Sequence, residues 1–186
     1  GSSEIAAIMG IDPWRKPRDV FLAKKGLTKY EPSEAAEWGH RHEPALRQKY
    51  GEMHGGVQIA IPGTLVHPDV DVVCATPDGI VLRDGVRVRN LQLKTSGEYQ
   101  RENWGEPGTD EIPEHYIIQV QTEMAVTGLP VTDVAGLLGG NKYREYVVQR
   151  DAELTSYILE FARRWWRDHM AADREPPHRQ DCTCGA

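Results

Sequence analysis

The hydrophobic and polar positions change period along the chain, and those changes mark its elements. Ile80-Val81-Leu82 is a β-branched and aliphatic run, and Val86 and Val88 alternate with Arg87 and Arg89 as in a half-buried strand. Asp84-Gly85 between them is a strong two-residue hairpin signal. The stretch from 76 to 95 is therefore read as the hairpin around which the rest is arranged. Ahead of it, Val57 to Ile61, Leu65-Val66 and Val70 to Ala75 predict strands, with His67-Pro68-Asp69 as a turn. Behind it, Val131 to Leu138 and Tyr143 to Gln149 flank Gly139-Gly140-Asn141, a second hairpin signal.

Helical spacing fills the intervals. Ser2 or Ser3 is expected to cap a short helix through Met9, stopped by Gly10. Pro17 suits the first turn of a second helix, Arg18 to Lys25, closed by Gly26. Ser33 opens a longer one with Glu34 and Glu37 in its first turn. There Ala36, His40, Glu43, Arg47 and Tyr50 share a face, and Pro44 predicts a bend or a division in two. Pro113-Glu114 begins a helix to Gly128, with Gln119 on its flank. Asp151 caps the last helix, to about His169, with Leu154, Ile158, Phe161 and Trp165 as a core stripe. Residues 96 to 112 read as a long loop that either borders a binding channel or lays Trp104 on the core. Residues 1–175 read as one domain and 176–186, after Pro176-Pro177, as a loose tail.

Composition narrows the class. A chain of 186 residues, 39% hydrophobic and 27% charged, suits one soluble domain with a sizeable core. No apolar run approaches the ~20 residues of a membrane span, so no membrane partner is expected. Gly1-Ser2-Ser3-Glu4 lacks a leader pattern, and the abrupt opening on a helix cap implies residues ahead of Gly1. Three cysteines are too few for a disulfide scaffold and indicate a reducing compartment, the cytoplasm. Cys74 reads as core; Cys182 and Cys184, near His178, lack a fourth ligand and the spacing of a zinc site. A net charge of −6 argues against bulk attraction to nucleic acid but leaves room for cations gathered on one face. Arg15, Lys16, Arg18, Lys24 and Lys25 form one such cluster and Arg83, Arg87 and Arg89 another; each is equally a solvated surface. No glycine-rich cofactor loop or nucleophile elbow supports a metabolic enzyme.

The chemistry concentrates in the hairpin. Asp78 enters one strand, and Gln92 and Lys94, two apart, leave the other on a common face. A carboxylate, a neutral oxygen donor and an ammonium would converge there, as a Mg²⁺-dependent phosphodiesterase requires. His40 and His42, two apart on a helix, diverge and make no metal pair.

Pro77-Asp78 followed by Gln92-x-Lys94 resembles the PD-(D/E)xK nuclease motif, with glutamine in its acidic slot. Trp38-Gly39-His40-Arg41-His42-Glu43, Ala75-Thr76-Pro77-Asp78-Gly79 and His115-Tyr116-Ile117-Ile118-Gln119-Val120-Gln121 narrow the likeness. In that order they resemble the YqaJ-type viral recombinases, relatives of phage lambda exonuclease, over about Ser2 to Trp166. The resemblance implies an α/β fold with a PD-(D/E)xK, restriction-endonuclease-like core: a mixed central sheet flanked by helices on both sides. It implies a 5′-to-3′ double-stranded DNA exonuclease of phage or prophage recombination that uses Mg²⁺, or Mn²⁺ in its place, and leaves 3′ overhangs. It further implies a ring-shaped homotrimer and a single-strand annealing protein as partner, in the cytoplasm of a bacterial host. Asp78 would be the central metal ligand, with Glu43, Gln92 and the backbone carbonyl of Leu93 completing the shell. Lys94 would orient the water or stabilise developing charge, and Ser3, Thr76 and Gln119 would hold DNA or its 5′ phosphate. Gln92 removes one negative charge, and three explanations stay open: a tolerated ligand, an inactivating replacement, or a DNA-binding module with weak or no cleavage. An endonuclease on the same fold is the alternative activity.

Overall fold

The computed structural model describes residues 1–29 and 31–177. Its helices are α1 (Ser2–Ile8), α2 (Pro17–Lys24), α3 (Glu34–Met53), α4 (Glu114–Thr127) and α5 (Ala152–Trp165). Its strands are β1 (Gln58–Ala60), β2 (Leu65–His67), β3 (Val70–Ala75), β4 (Gly79–Arg83), β5 (Val86–Ser96), β6 (Val131–Leu138) and β7 (Lys142–Gln149). Five strands form one sheet in the order β1-β4-β5-β6-β7, and β2 pairs with β3 apart from it. The β5–β6 pair is parallel and its neighbours are antiparallel, so the sheet is mixed. A parallel pair needs a crossover, and α4 provides it. No described helix is long and apolar enough to cross a membrane.

The β4–β5 hairpin turns as its sequence dictates. Asp84 and Gly85 both take positive φ, 51° and 77°, as a two-residue turn matched to strand twist requires. At the other end of β4 only glycine fits: a Cβ on Gly79 would lie 2.7 Å from Ile59 Cγ2. β5 then divides its side chains by strict alternation. Leu91 and Leu93 join Leu46, Tyr50, Val81 and Ala135 in the core under α3. Asn90 and Lys94 take the other face and bond α4, through Thr127 and Gln119. α4 is sandwiched. Val120 and Met124 pack on the sheet beside Val134, Tyr146 and Val148, while Ile118 and Val126 join a second core with α1, α5 and β3. Residues Ile118 to Val126 are accordingly all buried.

Several local expectations are corrected. The N-cap of α1 is Gly1, because the Ser2 hydroxyl turns inward and that of Ser3 lies at the surface. α3 runs unbroken across Pro44, anchored by Leu46 and Tyr50 in the core. Trp104 is buried against Tyr116 and Tyr146, so the 96–112 excursion lays its tryptophan on the core. The same excursion bonds the edge strand, Gly108 N–H to the Glu145 carbonyl and Val147 N–H to the Thr109 carbonyl, both near 2.9 Å at most. Cys74 is half-buried. α5 ends at Trp165, and a π-helical turn, Trp166–Ala171, follows. His178, Cys182, Cys184 and the expected tail from 178 onward lie outside the described residues.

Candidate active site

Hairpin register decides which polar side chains meet. Gly79 faces Leu91 across the β4–β5 ladder, so Asp78 stands where Gln92 begins the functional end of β5. Its Oδ2 accepts the backbone N–H of Leu93 at 2.7 Å, which fixes the carboxylate over the strand. Arg47 of α3 donates to the Asp78 carbonyl through Nη2 and Nε, at 3.0 and 3.3 Å. The same guanidinium lies 4.0 Å from Glu43 one turn earlier, and His40 holds Glu43 from the other side at 2.7 Å. Arg47 thus ties α3 to the hairpin and places Glu43 at the mouth of the site.

Burial then strains the charges. Asp78 is pushed above the ordinary carboxylate range by desolvation and by the Glu43 carboxylate, while Lys94, the Leu93 N–H and Arg47 oppose the rise. The Lys94 ammonium is depressed by desolvation, against the pull of Asp78, Glu123 and Glu43. Its Nζ donates to Gln119 Oε1 at 2.9 Å and stands 4.6 Å from the Tyr116 ring centre. Gln119 Nε2 donates in turn to Glu123 Oε1 at 2.9 Å, and Ser2 Oγ reaches the same oxygen at 3.2 Å. Glu123 is completely buried, and desolvation raises its pKa to about 7.

Among the described residues, two oxygens in this pocket have no partner. Gln92 is 4% exposed, and its Oε1 is buried without a hydrogen bond; Glu123 Oε2 is in the same condition. A buried acceptor left alone costs free energy unless something outside the chain completes it. Among the described residues no group of three His, Cys, Asp or Glu side chains is gathered as a metal site. The available donors are the Asp78 and Glu43 carboxylates, the Gln92 amide oxygen and the Leu93 carbonyl. All are hard oxygens suited to Mg²⁺ or Mn²⁺, and the unpartnered Gln92 oxygen is the observation that fits such an ion.

The structure brings Asp78, Gln92, Lys94 and Gln119 together and sets Glu43 beside them. It does not bring Ser3 into this hydrogen-bond chain: Ser3 is exposed and its carbonyl accepts from Arg15. Thr76 is exposed, bonded to Thr64. Gln119, on the helix flank in sequence, is buried at 8%. The basic cluster of α1 and α2 is largely paired, Arg15 with Asp12, Arg18 with Glu175, Lys24 with Glu4 and Lys25 with Asp173. Arg89 is held by Asp133. Sequence reading missed Ser2 and Glu123. A glutamate four residues after Gln119, on the same side of the helix, was the available signal.

A model of the YqaJ-like viral recombinase domain matches residues 1–130. The uncharacterized protein YqaJ of Bacillus subtilis (strain 168) is 28% identical over 181 residues, 95% of this chain and 54% of that protein. An uncharacterized protein of Acanthamoeba polyphaga mimivirus is 26% identical over 141 residues, 71% of this chain and 25% of its own length. The chain thus spans about half or less of these relatives. Among solved structures, the alkaline exonuclease LHK-Exo of Laribacter hongkongensis superposes with a TM-score of 0.73 at 24% identity. That match covers 92% of this chain and 87% of LHK-Exo. A phage-related exonuclease from Haemophilus somnus 129PT gives 0.66 at 14% identity over 92% of this chain and 95% of its own. The mixed sheet with helices on both faces is therefore the fold of these exonucleases. The chain belongs to the YqaJ-like viral recombinase domain family.

Proposed function

We propose that this member of the family is a metal-dependent DNA exonuclease that hydrolyses phosphodiesters at duplex ends. The observation that carries the reading is Gln92 Oε1, buried without a partner among the described residues on the strand that also carries Lys94. Asp78, Glu43, Gln92 and the Leu93 carbonyl would hold Mg²⁺, with Mn²⁺ as a substitute. When bound, the ion supplies Lewis-acid polarisation of the phosphate and a nucleophilic water near neutral pH. The chain's own residues do the rest. Lys94 directs an ammonium at the scissile phosphate, where developing negative charge is stabilised by a preorganised cation. Gln119 fixes that ammonium through its amide oxygen. Glu123 accepts from the other end of the amide and so sets which way it faces.

The finer assignment is 5′-to-3′ polarity, leaving 3′ overhangs for a single-strand annealing protein in phage or prophage recombination. It includes a homotrimer that encircles DNA in the bacterial cytoplasm and a single nuclease domain over residues 1–175. Linear duplexes labelled at either end and carrying 5′ phosphate or 5′ hydroxyl, with covalently closed circles alongside, test the scheme across a Mg²⁺ titration. Release of label from 5′ ends only, lost in Lys94→Ala, supports it. Opening of closed circles would make the enzyme an endonuclease on the same fold. DNA binding without cleavage, in this chain and in Gln92→Glu, would leave a binding module.

A further inference from the structure

A second space lies beside the Tyr116 ring that the Lys94 ammonium faces. A cleft of about 510 Å³ opens between the β5 end, the 96–112 excursion, the start of α4 and the α1–α2 loop. That volume falls within the range of small-molecule sites, roughly 300–1,000 Å³. Its working surfaces are Trp14, Ser96, Gln100, Asn103, His115 and Tyr116. Ser96 follows Lys94 by two residues, so both leave β5 on the same side. Tyr116 presents its ring to the Lys94 ammonium and also lines the cleft, so the two spaces share a wall.

Trp14 is the unusual member. The indole is 59% exposed although it sits on a short loop that is firmly held. The Asp12 carboxylate, on a residue only 7% exposed, accepts the backbone N–H groups of Trp14 and Arg15 at 2.8 and 2.9 Å. Trp14 meets the His115 ring edge-on, 5.1 Å between centres at 86°, and His115 lies 4.0 Å from Tyr116. His115, which also lines the cleft, has its Nε2 buried with no partner among the described residues. Among the described residues no lysine or arginine lines the cleft and Glu114 does, which suits a neutral planar ligand rather than a second phosphate.

We propose that this cleft receives the base of the nucleotide being released, stacked on Trp14, while the scissile phosphate on its 3′ side lies at Lys94. The assignment rests on the nuclease reading above. Base–aromatic stacking accepts every base because each has a π-face, so the cleft would grip the chain end without selecting sequence. Gln100 and Asn103 offer donors and acceptors that adapt to different base edges.

Two experiments separate this idea from the nuclease reading. Calorimetry with Ca²⁺ present compares thymidine 5′-monophosphate with deoxyribose 5-phosphate. The nucleotide should bind about tenfold more tightly, an advantage lost in Trp14→Ala and largely kept in Trp14→Phe. In the cleavage assay, Trp14→Ala should raise KM about tenfold for an ordinary terminus and leave an abasic terminus unchanged. Equal binding of the two phosphates, or a Trp14→Ala variant that keeps the base advantage, overturns the cleft assignment. Absence of any cleavage sinks the nuclease reading alone, because the calorimetric comparison still decides the cleft. Trp14 is exposed, so both variants should melt with the parent, and a melting scan checks that.

Discussion

Two polar clusters sit on opposite faces of the central sheet, and they are finished differently. Under α3, the Tyr50 hydroxyl donates to Asp133 at 2.6 Å and Arg89 donates to its other oxygen at 2.7 Å. Beside them Tyr143 donates to Glu145 at 2.6 Å and His54 reaches its second oxygen at 2.8 Å. Both carboxylates are thereby answered on both oxygens. Under α4, Gln92 Oε1 and Glu123 Oε2 are left open, and Asp78 and Lys94 both titrate away from their ordinary values because burial disfavours their charges. A satisfied buried network fixes a fold; an unsatisfied one of the same size costs stability and is retained for something it binds.

The comparison is broken most severely by removing charge from the open cluster. Asp78→Asn and Lys94→Ala should each lower the cleavage rate about 10³-fold. The melting temperature without metal should hold or rise in Asp78→Asn, since a desolvated carboxylate has been discharged. Rate assays and thermal scans on the same preparations check this, and a rate within tenfold of the parent would remove Asp78 from the chemistry.

Glu123 gives the next largest effect, and it is read in stability. Its carboxyl ionises at about 7 when folded and near 4.5 when not. Between those values the unfolded chain has released a proton that the folded chain keeps, so stability falls as pH rises through that window and levels above it. Glu123→Gln should abolish that slope and recover about 3 kcal/mol above pH 7. Cleavage should fall as well, because Gln119 loses the charged acceptor that turns its oxygen to Lys94. Denaturant melts from pH 4 to 8 decide the point; parallel curves for parent and variant would show that Glu123 does not titrate there.

Gln92→Glu sharpens the contrast from the other direction. A third carboxylate among Asp78 and Glu43 should lower the metal-free melting temperature by adding a buried like charge. It should also lower the Mg²⁺ concentration for half-maximal cleavage about tenfold, worth ~1.4 kcal/mol. A Mg²⁺ titration that does not move would mean that Gln92 faces no ion.

How much of this was legible in the sequence follows from the range of the forces involved. The 84–85 turn, the alternation of β5 and the Gly128 stop of α4 are local, and their chemistry is written in adjacent residues. Asp78, Gln92 and Lys94 were legible too, because strand period and one hairpin suffice to bring them together. Glu123 was not, nor was the burial of Gln119, which the family resemblance alone had singled out. Their burial depends on α4 being covered on both sides, by the sheet and by α1 with α5, and no local pattern announces a second layer. The division that Pro44 allowed does not occur, for the same reason: α3 continues through it, with Leu46 and Tyr50 held in the core. Ser2 and Ser3 differ only in which way one turn of α1 faces, which the position of Glu123 decides, 121 residues away.

The closed cluster should yield the smallest effect and the cleanest control. Tyr50→Phe removes one hydroxyl from Asp133, but Arg89 stays on the carboxylate, so no charge is stranded. The loss should stay near one net hydrogen bond, about 1 kcal/mol, or a melting temperature lower by roughly 2–4 °C. The ring remains packed on Leu46, Leu91 and Leu93, and the cleavage rate should stay within about twofold of the parent. If Tyr50→Phe instead reduced cleavage as far as Lys94→Ala, the two faces of the sheet would be one functional unit. The distinction between finished and unfinished polar clusters would then fail for this molecule.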